Sequence, residues 1–280
     1  MNLDRLREWI GREETRTDLA TAVPYAALSA TLDREDAEPE NGTKVPPLWH
    51  WLYFLPMAPM SDVGPDGHPK RGGFLPPVPL PRRMFAGGRF EFHHPLKIGE
   101  RMSRTSRITD VSSKQGRSGK LVFVTVRHEI ANAGGVALGE EHDIVYRENP
   151  RADAPVSRPT QAPTGETFSR EIVPGPVLLF RYSALTFNSH RIHYDRPYVT
   201  EVEGYPGLIV HGPLIATLLV DLLRRNLPQA NVHRFSFRAI RPLFDIHRFT
   251  VCGQRDGNRI ALWARDQDGW LAMEASADLA

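Results

Sequence analysis

The sequence predicts an α+β fold in which an antiparallel sheet wraps around a central helix, with this unit repeated twice along the chain. Three observations support the prediction. There is one strongly apolar segment of helical length, there are several short stretches that alternate apolar and polar residues, and the two halves of the chain share an order of features. The chain also contains 24 prolines and 22 glycines, whose frequent turns favour a sheet-rich protein over a helical bundle.

The best candidate for the central helix is GPLIATLLVDLLRRNLP, residues 212–228. A proline at the second position is tolerated in the first turn of a helix. Apolar side chains occupy nearly every face of the segment, which is typical of a buried helix, and its last turn is basic before a proline ends it. The corresponding apolar segment of the first half, residues 47–56, is short and aromatic, and we interpret it as a shortened version of the same helix.

The candidate strands follow the same order in both halves. Each half has a Phe-x-Phe pair, at Phe90 and at Phe235, followed by a Pro-Leu dipeptide, an extended segment that ends in a charged turn, and two more strands. A repeated antiparallel meander accounts for this order, and chance similarity between two sheet-rich halves is the alternative. One long buried helix with three or four antiparallel strands is the layout of a hotdog fold, so the sequence predicts a double hotdog.

A proline-rich stretch divides the chain. Residues 148–167 contain four prolines and few large apolar side chains, which indicates an extended linker. The division predicts an N-terminal domain, residues 1–147, in which the hotdog features are degenerate. It also predicts a C-terminal domain, residues 168–280, which contains the candidate site.

Composition narrows the partners and the compartment. The net charge is only +2, which gives no reason to expect nucleic acid as a partner. The single cysteine, Cys252, excludes a disulfide within the chain, suits a reducing cytoplasm and is best interpreted as a buried structural thiol. The N-terminal segment is polar and partly acidic, unlike a signal peptide, and the longest apolar run is too short to span a bilayer. We therefore expect a cytoplasmic protein that does not enter a membrane.

The segment TFNSHRIHYD, residues 186–195, is the strongest candidate for a site. A metal centre would use His190, His193, His211 and Asp195, but their spacing matches no zinc pattern. A nucleophile such as Ser189 would need a Gly-x-Ser-x-Gly turn, which this segment lacks. Acid–base chemistry by a histidine is the remaining interpretation.

The start of the central helix offers a site for developing negative charge. Free backbone N–H groups and the positive end of the helix dipole meet there, at His211 and Gly212. A thioester carbonyl placed at this point would be polarised, and its enolate would be stabilised. Just ahead of the segment above, Ser183 is a suitable N-cap for a short helical turn.

The sequence FRYSALTFNSHRIHYDRPYVTEVEGYPGLIVHGP resembles the MaoC-like, R-specific enoyl-CoA hydratase family of hotdog enzymes. The resemblance implies that His193 is the catalytic histidine and that the Gly212 N–H forms the oxyanion hole. The family's aspartate falls on Asn188, which cannot take a proton but can hold a water through its amide. This form of the motif resembles the branch of mesaconyl-C4-CoA and itaconyl-CoA hydratases and of mitochondrial hydroxyacyl-thioester dehydratases.

The resemblance implies reversible hydration of an enoyl-CoA thioester, with a C5 branched dicarboxylyl-CoA as the expected substrate. It implies no metal and no cofactor other than the CoA of the substrate. A 3-hydroxyacyl-thioester dehydratase of fatty-acid metabolism is the nearest alternative. A non-catalytic acyl-CoA-binding partner subunit is the alternative from another class. The absence of a carboxylate at the matched position argues against a thioesterase.

Five residues are candidates for binding the substrate. Arg181 lies just ahead of the motif and could pair with a carboxylate of the acyl group. Arg71, Arg82 and Arg83 are candidates for the CoA phosphates because arginine binds phosphate bidentately, although solvated arginines explain them equally well. His211 is the fifth candidate, at the start of the helix. The two halves are expected to pair within one chain, and a further homodimer is plausible.

Overall fold

A computed structural model of the chain describes residues 2–116, 119–149 and 158–280. The helices in these ranges are α1 (Leu3–Arg7), α2 (Ala22–Thr31), α3 (Pro176–Leu185) and α4 (Gly212–Asn226). The strands are β1 (Glu13–Leu19), β2 (Arg82–Phe92), β3 (Arg101–Gly116), β4 (Gly119–Asn132), β5 (Gly135–Arg147), β6 (Phe168–Ile172), β7 (Val232–Ala239), β8 (Phe249–Asp256), β9 (Arg259–Arg265) and β10 (Leu271–Leu279).

The strands form one antiparallel sheet in the order β1-β3-β4-β5-β2-β7-β10-β9-β8-β6. The first five strands are ordered 1-3-4-5-2, and the last five repeat this order as 6-8-9-10-7. The two halves therefore share one topology and meet where β2 pairs with β7. This confirms the predicted double hotdog, with its halves paired within one chain.

The Phe-x-Phe pairs lie at the seam between the halves. Phe90 is the register partner of Phe235, and both side chains are buried. Gly87 permits the close approach of the strands, since a Cβ there would lie 2.7 Å from the carbonyl oxygen of Phe237. The seam brings the first residues of β2 beside the start of α4, where the backbone oxygen of Phe85 lies near Gly212.

Helix α4 is the central helix that the sequence predicts. It begins at Gly212, ends at Asn226, two residues before Pro228, and buries ten consecutive residues from Leu214 to Leu223. It packs mainly on β8, with further contacts to β6, β9 and β10. In the first half, the segment expected to be a shortened helix contains one 3-10 turn, Trp49–Leu52.

Three other sequence predictions concern the linker, Cys252 and membrane insertion. Residues 150–157 of the predicted linker lie outside the described residues, and residues 158–167 run irregularly into β6. Cys252 is fully buried on β8, and burial raises the pKa of its thiol to about 11, as expected for a structural cysteine. Across the described ranges, no helix has the length and apolar character needed to cross a bilayer.

Candidate active site

A cavity of about 1250 Å³ lies between the two halves and receives residues from both. The C-terminal half contributes residues 187–194, the start of α4 and residues 239–243. The N-terminal half contributes β2, the inner faces of β3 to β5 and the loop of residues 56–75. Among the predicted site residues, the lining includes Asn188, His193, Gly212, Arg71, Arg82 and Arg83.

His193 has the geometry that a general base requires. It ends a 3-10 turn, Arg191–His193, and is 7% exposed. Its Nδ1 lies 2.7 Å from the carbonyl oxygen of Ile209, so Nδ1 carries the proton and Nε2 keeps a free lone pair. Burial lowers the pKa of His193 to about 4, which leaves the imidazole neutral at physiological pH. The structure therefore gives the predicted base a fixed tautomer.

His211 supports this ring from behind. The two imidazoles stack with their centroids 3.7 Å apart, and the Ser183 hydroxyl lies 2.8 Å from Nε2 of His211. His211 is fully buried and is not among the residues that line the cavity, which corrects the expectation that it binds substrate. Ser183 is not an N-cap, because α3 begins seven residues earlier, at Pro176. Both residues instead hold His193 in place.

Asn188 presents an amide donor to the cavity. The Oδ1 of Asn188 accepts a hydrogen bond from the backbone N–H of His190 at 3.1 Å. The backbone N–H of Asn188 donates to the carbonyl of Ser183 at 2.8 Å. The remaining Nδ2 group can donate to a water or a substrate oxygen. The side chain can position a ligand here, but it cannot exchange a proton with it.

Gly212 lies at the start of α4, where a free backbone N–H is available. As the first residue of α4, its N–H has no acceptor within the helix and lies at the positive end of the dipole. A Cβ at this position would make only an ordinary contact, 3.8 Å from the backbone oxygen of Phe85. The protein itself does not require glycine here, so the space that it leaves is available to a ligand.

Residues 66–68 of the N-terminal half, which the sequence analysis did not single out, lie against residues 189–191. The backbone N–H of Arg191 donates to the carbonyl of Asp66 at 2.9 Å, and the Ser189 hydroxyl donates to the carbonyl of Gly67. Next to this junction, the His68 ring lies 3.9 Å from the ring of His190. Burial lowers the pKa of His68 and lowers that of His190 to about 2.

The histidines are not grouped as the metal alternative required. Nδ1 of His193 is bonded to a backbone carbonyl, and Asp195 forms an ion pair with Arg191 at 2.8 Å. Within the described ranges, two other groups have ligand atoms within 4.8 Å of one another: Asp66, His68 and His190, and, on β4 and β5, His128, Glu140 and His142. Four of these histidines, His68, His190, His128 and His142, line the cavity. In the second group, Glu140 is already hydrogen-bonded by His50 at 2.9 Å.

Two of the candidate arginines are held by the protein. Arg71 donates to the backbone carbonyls of residues 78, 80 and 81. Arg82 donates to the hydroxyl of Tyr205 at 2.6 Å and forms an ion pair with Glu203 at 3.1 Å. These contacts fasten the proline-rich loop and the start of β2, so both residues have a structural role at the cavity wall.

Arg83 and Arg181 differ sharply in position. Arg83 lines the cavity beside the Tyr146 hydroxyl, and within the described ranges no carboxylate lies within 4.0 Å of its guanidinium. Arg181 is exposed on α3 and does not line the cavity, which corrects its expected contact with substrate. Of the four candidate arginines, Arg83 is therefore the one that is best placed to meet a ligand carboxylate or phosphate.

The buried neutral histidines make the fold sensitive to acid. Burial lowers the pKa of His193 to about 4, that of His190 to about 2 and that of His128 to about 3, against about 6.5 in an unfolded chain. Below pH 6.5 the unfolded state binds more protons, so stability falls with pH by about 1.4 kcal/mol per pH unit for each such histidine. We expect the free energy of unfolding, measured with denaturant, to fall between pH 6.5 and 4. A constant value across that range would contradict the buried neutral state.

The comparisons with known proteins place this architecture in a family. The family model for hydroxyacyl-thioester dehydratase type 2 matches residues 48–245, which include His193 and the start of α4. The chain belongs to this family. It is 50% identical over 272 residues to the mesaconyl-C4-CoA hydratase of Chloroflexus aurantiacus, covering 97% of this chain and 96% of that protein. The match and this relative identify the chain as a hydro-lyase.

Two more distant relatives agree with the fold and the family. The mitochondrial hydroxyacyl-thioester dehydratase type 2 of Schizosaccharomyces pombe is 28% identical over 246 residues, covering 79% of this chain and 80% of that protein. The crystal structure of a MaoC-like dehydratase from Phytophthora capsici superposes with a TM-score of 0.71 at 15% identity, covering 100% of this chain and 99% of the other. The predicted resemblance to MaoC-like enzymes is confirmed.

Proposed function

We propose that this protein reversibly hydrates the double bond of an enoyl-CoA thioester, and that its substrate is a C5 branched dicarboxylyl-CoA such as mesaconyl-C4-CoA or itaconyl-CoA. The observation that carries the reaction type is the neutral His193 with a free Nε2 in the same cavity as the unbonded N–H of Gly212. The substrate class rests on the relative that is 50% identical. The chemistry requires water and the CoA thioester alone.

Gly212, Asn188 and His193 each have a separate role in the addition of water to the double bond. The thioester carbonyl oxygen accepts a hydrogen bond from the Gly212 N–H, which stabilises the enolate that forms there. Asn188 donates a hydrogen bond to the attacking water and so places it over the β-carbon. Nε2 of His193 takes a proton from this water as its oxygen bonds to the β-carbon. Dehydration is the reverse.

Arg83 supplies the counterion for the free carboxylate of the dicarboxylyl thioester. It shares the cavity with His193, and the carboxylates of the described protein leave it unpaired. A guanidinium forms two parallel hydrogen bonds to a carboxylate, which suits recognition of a dicarboxylyl group. The other two candidate arginines that line the cavity, Arg71 and Arg82, keep the wall in place against which CoA binds.

A comparison of substrates tests this assignment. In Arg83→Met, we expect kcat/KM for mesaconyl-C4-CoA to fall by about 10- to 100-fold, because one charge-assisted pair is lost. The acyl group of crotonyl-CoA has no free carboxylate, so kcat/KM for crotonyl-CoA should change by less than about threefold. Arg181→Met, on the outer surface of α3, is the matched control and should behave as wild type with both thioesters.

The outcomes separate the possibilities. An equal loss on both thioesters in Arg83→Met would assign the residue to CoA itself. A wild-type enzyme that hydrates crotonyl-CoA but neither dicarboxylyl thioester would contradict the substrate class. A wild-type enzyme that hydrates neither mesaconyl-C4-CoA, itaconyl-CoA nor crotonyl-CoA would contradict the proposed reaction.

Dehydration of 3-hydroxyacyl thioesters of fatty-acid metabolism is the second candidate. The size of the cavity favours it, since about 1250 Å³ extends well beyond His193 under the N-terminal sheet. The 28% identical mitochondrial relative points the same way. The same assay with thioesters of increasing chain length distinguishes the two, because a fatty-acid enzyme gains kcat/KM as the chain lengthens.

A further inference from the structure

Addition of water across a double bond needs two proton transfers. One proton leaves the water, and another must reach the α-carbon. His193 accounts for the first. At the position where the family carries an acid, Asn188 has an amide, which cannot supply the second. Another group in the cavity that can gain and lose a proton would complete the reaction.

His68 has the geometry of such a group. Its Nδ1 lies 3.0 Å from Oδ2 of Asp66, so the carboxylate orients the ring and leaves Nε2 as the free nitrogen. Its side chain is 21% exposed and lines the cavity together with Asn188 and His193. The backbone N–H of His68 also donates to Asp66, at 3.0 Å, which fixes the pair further.

The loop that carries Asp66 and His68 is hydrogen-bonded to the segment of residues 186–195, which contains Asn188 and His193. Arg191 donates from its backbone to the carbonyl of Asp66 and from its guanidinium to the carbonyl of Pro65. Gly67 lies so close to Ser189 that a Cβ would come 1.8 Å from the backbone oxygen of Ser189. The position of His68 is therefore determined by the same residues that position Asn188 and His193.

We propose that His68, oriented by Asp66, is the second acid–base group of the site and that its Nε2 delivers the proton to the α-carbon. This rests on the proposed hydration. It extends that reaction by assigning the proton donor that Asn188 cannot be, and it places one half of the proton transfer on the N-terminal domain.

The protons balance over one turnover. His193 takes a proton from water, the new C–O bond forms at the β-carbon, and the electron pair of the double bond moves to the α-carbon and the thioester oxygen. The imidazolium of His68 then gives its proton to the α-carbon and becomes neutral. His190 contacts both rings, with centroids 3.9 Å from His68 and 5.4 Å from His193, so it lies on the path by which the proton returns.

The charges around His68 determine how substrate binding changes the pKa of its imidazole. Asp66 favours the imidazolium, whereas burial and the cations Arg83 and Arg71 oppose it, and the neutral rings of His190 and His193 lie on its other side. A substrate carboxylate paired with Arg83 cancels the nearest opposing charge. Binding of a dicarboxylyl thioester therefore raises the pKa of His68, so that the acid is charged when it is needed.

Two variants and a pH profile test the proposal, using the full chain and mesaconyl-C4-CoA. His68→Gln should lower kcat about 100-fold, within the range for one proton-transfer group, while the Kd for free CoA changes by less than about threefold. Asp66→Asn keeps His68 but removes the charge that favours its imidazolium. Since hydration needs this acid protonated, the basic limb of the kcat profile should move to lower pH in Asp66→Asn and disappear in His68→Gln.

The control is His233→Gln, the same substitution at an exposed histidine on β7, which should leave kcat and its profile unchanged. A purely structural role for the loop would lower the melting temperature and raise KM in His68→Gln while the basic limb stayed at its wild-type pH. That result, or a kcat within threefold of wild type, would overturn the proposal. If His68→Gln fails to fold, the profile of Asp66→Asn decides alone. Failure of the proposed function is distinct, because wild type would then hydrate no thioester.

Discussion

Replacing His193 with glutamine is expected to lower kcat for hydration about a thousandfold. Its Nε2 is the group that removes the proton from water, and a positioned base contributes between about 100- and 10,000-fold to such a reaction. Glutamine retains a polar side chain of similar length but cannot accept a proton near neutral pH. The steady-state rate with mesaconyl-C4-CoA, together with the Kd for CoA by calorimetry, measures the effect.

The Kd for CoA should stay within a few-fold of wild type, because no CoA contact is assigned to His193. The pH profile gives a second check. The pKa of His193 is lowered to about 4, so the base stays neutral as the pH falls from 8 to 5, and the acidic limb that it produces should lie near pH 4. Activity in His193→Gln close to that of wild type would remove this residue from the mechanism and favour a non-catalytic acyl-CoA-binding protein.

The parts of the fold that could be predicted are those in which local pattern and tertiary role coincide. The segment that forms α4 is apolar on all faces and is also the buried helix, so its sequence identifies it directly. The Phe90 and Phe235 pairs recur in sequence because they occupy equivalent strands, and the structure places them opposite each other at the seam. The single ten-stranded sheet depends on which edges meet, which no local pattern encodes.

The sequence prediction includes cavity residues that are close together in the chain and omits the distant loop residues on which the further proposal rests. Asn188, His193 and Gly212 lie within 25 residues of one another in the sequence, and all three line the cavity. Asp66 and His68 are more than 100 residues away, in a loop without helical or strand periodicity. Tertiary contacts between the two halves, among them the pairing of β2 with β7, bring this loop to the site, so a sequence signal for it would have had to come from co-variation.

Two candidate binding residues were chosen because they lie next to the motif or the helix start in the sequence, and the structure turns both away from the cavity. Arg181 is adjacent to the motif in sequence, but its position on α3 turns its side chain to solvent. His211 precedes the glycine of the oxyanion site, yet its ring points into the protein and stacks on His193. Adjacency in the chain does not determine which side of a helix or turn a side chain occupies.

Gly67→Ala is expected to lower kcat by about 100-fold, although residue 67 carries no side chain and takes no part in the chemistry. Gly67 has a φ of +89°, which costs about 1 kcal/mol for an alanine. In addition, the new Cβ would lie 1.8 Å from the backbone oxygen of Ser189, so the loop and the catalytic segment must separate by more than 1 Å. A displacement of this size in a positioning element costs about 100-fold in rate.

Gly11→Ala separates the two causes, because Gly11 has a similar φ of +86° with no atom within 4 Å of a Cβ. Backbone strain should cost each variant about 1 kcal/mol of unfolding free energy, measured with denaturant. The clash with Ser189 should add to this loss in Gly67→Ala, and only Gly67→Ala should lose activity. Equal activity in the two variants would mean that the N-terminal loop can move without disturbing His193 and Asn188. The contact between Gly67 and Ser189 would then have no bearing on catalysis. A selective loss would show that the active site depends on the N-terminal half through a backbone contact, whichever residue delivers the second proton.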